Sequence, residues 1–137
     1  MAVFSSTLDS RFECVEDAEE SVRNFARESG FEESDEYFIA LAVREVLVNA
    51  IRHGNRFDPD KKVGLRVFRE DSELVIEVTD QGEGFRLESV PDPHLPENLE
   101  RPTGRGIAIA KAVMDELSVE HSPSGTIVRM AKRLPSG

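Results

Sequence analysis

Cysteine is nearly missing from this chain: Cys14 is the only one among 137 residues. A single thiol builds no disulfide framework and no cysteine metal cluster, which points to a reducing, cytoplasmic compartment. Long apolar runs are missing too. None approaches the roughly 18–20 residues that a membrane span requires, so no membrane association is expected. The opening M-A-V-F-S-S-T-L-D lacks the basic region and apolar block of a secretory signal. The third absence is excess positive charge. The net charge is −10, no basic run offsets it, and direct nucleic-acid binding is not expected. A polyanionic ligand would have to be held locally, by helix N-termini, a few arginines and a metal ion.

What is present suits one soluble globular domain over residues 1–137. With 39% hydrophobic and 32% charged residues the chain can bury a core, and its length is too short for two ordinary domains. No internal repeat or low-complexity tract occurs. The stretch Phe38–Asn55, F-I-A-L-A-V-R-E-V-L-V-N-A-I-R-H-G-N, organises the rest. Its apolar positions cover most of a helix's circumference, which predicts packing on nearly every side, with Gly54 as the stop. Into that surface are set Glu45 and Asn49, four residues apart and so on one face, with Arg52 and His53 a turn further on. A carboxylate and an amide in an apolar wall are costly unless something pairs with them.

Around this helix the pattern predicts a strand over 3–13, an amphipathic helix over Val15–Ser29 closed by Gly30, and Ser34 or Asp35 as cap of the central helix. The acids of V-E-D-A-E-E read as a solvated helix start. Val63–Arg69 and Glu73–Thr79 alternate as the strands of a hairpin. Residues 86–103 show no periodicity and hold Pro91, Pro93, Pro96 and Pro102, the signature of a functional loop such as a lid. Gly104-Arg105-Gly106 opens a helix running to Leu117, and strands over Leu117–His121 and Thr126–Lys132 are joined by S-P-S-G. The order predicts an α+β fold, a two-layer sandwich with a mostly antiparallel mixed sheet and helices on one face.

Each polar candidate has a plain reading beside a functional one. Asp80-x-Gly82-x-Gly84 at a strand end and Gly104-x-Gly106 at a helix start let backbone N–H groups approach an anion, or are ordinary turn glycines. Asn49 offers a hard oxygen to Mg²⁺, or a hydrogen bond to the core. Glu45 is placed to take a proton from a hydroxyl or water attacking a phosphate, or pairs with Arg44 or Arg52. Asp80 binds an exocyclic amine or caps its turn. His53 caps a helix end or binds a ligand, Arg101 and Arg105 hold phosphate oxygens or solvate a surface, and His94 and His121 read as surface residues. No Walker A or dinucleotide-binding pattern is present.

Together the parts run E-x-x-x-N-x-x-R-H-G-N, D-x-G-x-G-F, a long lid, T-G-R-G-I and S-G-T. This arrangement resembles the GHKL, or Bergerat-fold, ATPase family over most of Ser34–Leu134, and within it the small bacterial anti-sigma-factor serine kinases. The resemblance implies ATP and Mg²⁺ as ligands, with Glu45 as general base and Asn49 as the Mg²⁺ ligand. It implies that Asp80 reads the adenine amine beside Thr126, and that Gly82 and Gly84 shape the nucleotide pocket. Thr103, Gly104, Arg105 and Gly106 would lie at the phosphates, Arg52 and His53 at the end of the N-box, and Arg101 in the lid, directed at the γ-phosphate. It further implies a serine-protein kinase that phosphorylates a STAS-type anti-sigma-factor antagonist, sequesters a sigma factor and forms a homodimer. A non-catalytic ATP-binding module that recruits or activates a partner is the alternative, as is a stand-alone ATP-hydrolysing regulator.

Overall fold

The computed structural model describes residues 3–82, 102–123 and 125–135. Five strands, β1 (Val3–Asp9), β2 (Lys62–Glu70), β3 (Glu73–Asp80), β4 (Glu116–Ser122) and β5 (Gly125–Arg133), form one sheet in the order β1-β2-β3-β5-β4. Every pairing is antiparallel, because β2–β3 and β4–β5 are tight hairpins and β3–β5 and β1–β2 run opposed. The α-helices among the described residues are α1 (Val15–Glu28), α2 (Glu33–Asn49) and α3 (Pro102–Val113).

Strand alternation sends Leu65 and Val67 of β2, Leu74 and Ile76 of β3 and Met130 of β5 to one face, where they join Val22, Val43, Leu47, Ile51 and Ala110 in a single core. Each such aliphatic side chain contributes about 1.5–3 kcal/mol when fully buried. All three helices therefore lie on that face, and the expected two-layer α+β arrangement holds. The other face keeps Phe68, Val75 and Ala131 buried. There Arg66 and Arg129 lie 5.0 and 5.9 Å from the Phe68 ring centroid and both pair with Glu77, at 2.9 and 2.8 Å.

Helices α1 and α2 are tied by a buried carboxylate. Glu36, only 2% exposed, accepts from Arg27 at 2.7 Å and pairs with Arg23 at 3.2 Å. The Arg27 hydrogen bond holds its carboxyl below the usual range against the opposing effect of burial.

Several boundaries differ from the sequence expectations. β1 stops at Asp9, and a short 3-10 turn, Phe12–Cys14, leads into α1. Helix α2 begins at Glu33 with no side-chain cap, so Ser34 and Asp35 lie within its first turn. The chain turns early because Phe31 is buried and its N–H bonds to the Ala26 carbonyl. Phe38 is not packed; with Tyr37 it forms an exposed edge-to-face pair, since the core lies on the side of Ile39, Ala42 and Val43. Helix α3 starts at Pro102, ahead of the glycines, and proline suits a first helical position. It ends at Val113 rather than Leu117. Asp115 draws the chain into the sheet there: its N–H donates to the Ala131 carbonyl and its carboxylate accepts the Arg133 N–H.

Candidate functional site

The central helix does not end at Gly54 as a plain α-helix. After Asn49 the chain widens into a π-helical turn, Ala50–Gly54, closed by the Asn55 N–H on the Ala50 carbonyl at 2.8 Å. Such turns change the facing of side chains beyond them and are frequent at functional sites. Here the turn joins two clusters of polar residues.

The first is a cavity of about 630 Å³ between the start of α1 and the end of α2. Glu45, Asn49 and Arg52 line one wall, and Phe12, Val15, Glu16 and Glu19 the other. Glu45 is half-buried. Asn49 is 4% exposed, and its Nδ2 is buried with no hydrogen-bond partner among the described residues. A buried amide with unspent bonding capacity is rare in a folded chain and fits a group that completes its bonding with a bound species. Turning the amide by 180° exchanges its nitrogen and oxygen, so this wall fits a hard cation as well as a hydrogen-bonding ligand. Glu19 faces Arg44 at 3.8 Å. Burial pushes its carboxyl up, Arg44 pulls it down, and Glu16 and Glu45 push it up further. Arg52 stacks over Phe12, 5.3 Å from the ring centroid, and Phe57 meets Phe12 edge to face at 5.0 Å. His53 is exposed; partial desolvation of its ring, and Arg52 beside it, hold its pKa below the ordinary value.

The second cluster lies at the end of β3. Asp80 is 3% exposed. Its carboxylate accepts the Gly82 N–H at 3.0 Å, and Thr126 is the residue opposite it on β5. Burial nonetheless raises its pKa above the ordinary value. Thr126 is fully buried, and its hydroxyl lies 3.2 Å from Nδ1 of His121, its partner on β4. Backbone crowds in from two sides. A methyl group on Gly82 would overlap the Gly54 carbonyl, and one on Gly125, whose φ is +149°, would overlap the Asp80 carbonyl. Glycine is required at both positions.

The structure thus brings Glu45, Asn49 and Arg52 together at one cavity, and Asp80, Gly82 and Thr126 at the sheet end, joined through Gly54. Thr103, Gly104, Arg105 and Gly106 fall in the first turn of α3. Gly84, Arg101 and His94 lie outside the described residues. Sequence reasoning missed the wall formed by Phe12, Val15, Glu16 and Glu19, because an acidic helix start carries no sign of what it faces. It also missed that Gly54 and Gly125 pack against Asp80, and gave no role to Asn55, although H-G-N and S-G-T were visible.

An antiparallel sheet covered on one face, a polar wall in a buried helix and a glycine-packed carboxylate at the sheet end define a nucleotide-binding domain of the GHKL class. A sequence profile of the histidine kinase-like ATPase domain matches residues 8–132, and the chain belongs to that family. An ATPase domain implies ATP as ligand. Among relatives, the anti-sigma F factor of Caldanaerobacter subterraneus is 37% identical over 100 residues, 69% of this chain and 67% of that protein. The anti-sigma F factor of Bacillus subtilis is 37% identical over 101 residues, 70% of this chain and 68% of that one. The fold is similar to the crystal structure of the RsbU and RsbW domains of Rv1364c from Mycobacterium tuberculosis, with a TM-score of 0.69 at 22% identity over the whole of this chain. The chain spans about a third of that solved protein, 34%. Among the described residues no helix is long and apolar enough to cross a membrane.

Proposed function

We propose that this chain is a single-domain, cytoplasmic serine-protein kinase and anti-sigma factor that uses ATP and Mg²⁺. The observation that carries the reading is the shared cavity wall: Glu45 and Asn49 stand one helical turn apart, and the buried amide nitrogen of Asn49 has no partner among the described residues. Asp80 reads the adenine amine, with Thr126 beside it and Gly82 and Gly84 shaping the pocket. Thr103, Gly104, Arg105 and Gly106 hold phosphate oxygens at the N-terminus of α3, where the helix dipole favours an anion. Arg52 and His53 border the phosphates from the end of the central helix, and Arg101 is assigned to the γ-phosphate on the family resemblance alone.

Asn49 is the residue that would hold Mg²⁺, which when bound would neutralise charge on the transferred phosphoryl group. A partner's serine hydroxyl enters beside Glu45, which takes its proton as the serine oxygen attacks the γ-phosphorus. The new O–P bond forms as the bond to the ADP oxygen breaks. Positioning and electrostatics supply most of the acceleration.

The names of the relatives support a sigma factor as one partner. The acceptor is a STAS-type antagonist of the anti-sigma factor. Phosphorylation adds about −1.5 to −2 charge to it and releases it, and the freed kinase, a homodimer, then sequesters the sigma factor.

The test is transfer of label from γ-labelled ATP with Mg²⁺ into the proteins of a native extract, with wild type and Glu45→Ala side by side. A small protein labelled on serine by wild type alone is the expected result. Full transfer by Glu45→Ala would remove Glu45 as base. ATP binding without any labelled protein would favour the non-catalytic module, and phosphate release without label a plain ATPase.

A further inference from the structure

Asn55, the residue that closes the π-helical turn, is 1% exposed and makes three side-chain hydrogen bonds to distant parts of the chain. Its Nδ2 donates to the Ser10 hydroxyl and to the Lys62 carbonyl, each at 3.0 Å, and its Oδ1 accepts the Gln81 N–H at 2.7 Å. Ser10 in turn donates to the Lys61 carbonyl at 2.5 Å. One amide therefore spans the end of β1, the start of β2 and the turn after β3. Its backbone N–H closes the turn on Ala50, the residue after Asn49. Gln81 sits between Asp80 and Gly82, whose N–H holds the Asp80 carboxylate, and Gly54 packs against that same carboxylate.

We infer that Asn55 is a positioning residue for base recognition: by holding the Gln81 N–H it fixes the Asp80-Gln81-Gly82 turn, and with it the direction in which Asp80 presents its carboxylate to the purine. The physical basis is selectivity of alignment. A hydrogen bond from an amine to a carboxylate weakens steeply once the N–H···O angle falls below about 120°. A turn free to shift would still seat a purine but would no longer distinguish an amine at position 6 from a carbonyl. The inference rests on the proposed base-reading role of Asp80.

The test compares binding of ATP and of ITP, which carries a carbonyl at position 6, by titration calorimetry with Mg²⁺ present. It uses wild type, Asn55→Ala, Asn55→Asp and Asp80→Asn. Asn55→Asp retains an oxygen for the Gln81 N–H and loses the two donated bonds. Expected are a drop of about tenfold in the ATP-over-ITP preference for Asn55→Ala and a preference near wild type for Asn55→Asp, although both lower the melting temperature. A purely structural Asn55 would weaken both nucleotides alike and leave the ratio unchanged in both variants. Should Asn55→Ala not fold, Asn55→Ser takes its place. Its shorter hydroxyl keeps a polar group in the site without reaching the Gln81 N–H, and the same loss of preference is expected. Asp80→Asn separates the two ideas. An unchanged ratio there overturns the base reading, and the inference with it. A collapsed ratio there beside an unchanged one in Asn55→Ala or its serine substitute overturns the inference alone.

Discussion

Asp80 and Asn49 are buried to almost the same degree, 3% and 4% exposed, and their polar ends are treated in opposite ways. The Asp80 carboxylate accepts the Gly82 N–H and has Gly54 packed against it, while Gly125 of β5 closes on the Asp80 backbone carbonyl. The Asn49 amide nitrogen has no partner among the described residues. One end of the site is finished before a ligand arrives, and the other is left incomplete beside a cavity. Pre-organised recognition keeps its geometry at the cost of burying a charge, whereas an unspent amide lowers stability until a ligand completes it. The pairing suits the proposed site, in which Asp80 selects the base and Asn49 lies beside the phosphates.

The largest expected effect comes from Glu45 on the open side. Glu45→Ala should cut phosphotransfer by about 10²–10⁴ while nucleotide affinity stays near wild type, measured by label transfer and calorimetry on one preparation. On the finished side, Gly82→Ala should weaken ATP by about a hundredfold or more, because its methyl must displace the Gly54 backbone, a shift costing several kcal/mol. Retained affinity would mean that the close packing at Asp80 is not needed for binding.

Asn49→Leu tests the contrast most directly. Replacing an unsatisfied buried amide by an apolar group of similar size should leave stability unchanged or raise it by about 1 kcal/mol, while Mg²⁺-dependent ATP affinity falls by about 10–100-fold. A clear loss of stability would show that the amide is already satisfied in the free protein. The pH dependence of Asp80 has a definite sign. A carboxyl whose folded pKa is raised costs nothing below its ordinary value of 3.8, and the cost accumulates as pH rises through the folded value. Wild type should therefore lose melting temperature relative to Asp80→Asn as the buffer is taken from about pH 4 to about pH 8. The smallest effect belongs to the open sheet face: Arg66→Ala removes an exposed ion pair and a stacked cation from Phe68, for about 0.2–1 kcal/mol.

Much of the finished end was legible in the chain itself. Alternating Leu74, Ile76 and Val78 place Asp80 at the tip of a strand with its side chain on the buried face, and the glycines after it announce a close backbone approach. The four-residue spacing of Glu45 and Asn49 puts them on one wall whatever else the helix meets. The opposite wall was not legible. Glu16 and Glu19 look like any acidic helix start, and only the packing of α1 against α2 turns them toward Glu45. Phe38 erred in the other direction: periodicity counted it as core, although the sheet and α1 reach only the far side of that helix.

Period, spacing and turn chemistry by themselves determined the α+β class, the hairpins and the central helix, while the grouping of the N-box and glycine motifs came from the family resemblance. The class, the hairpins and the helix are local properties, set by 3.6 and 2.0 residue repeats and by which residues tolerate tight backbone. The tertiary structure alone decided the π-helical turn after Asn49, the Asp115 hydrogen bonds that end α3, and the Asn55 amide that gathers Ser10, Lys62 and Gln81. Those depend on which donors and acceptors meet across 45 residues of sequence between Ser10 and Asn55. A buried amide takes the partners that packing brings to it, and no spacing along the chain encodes them.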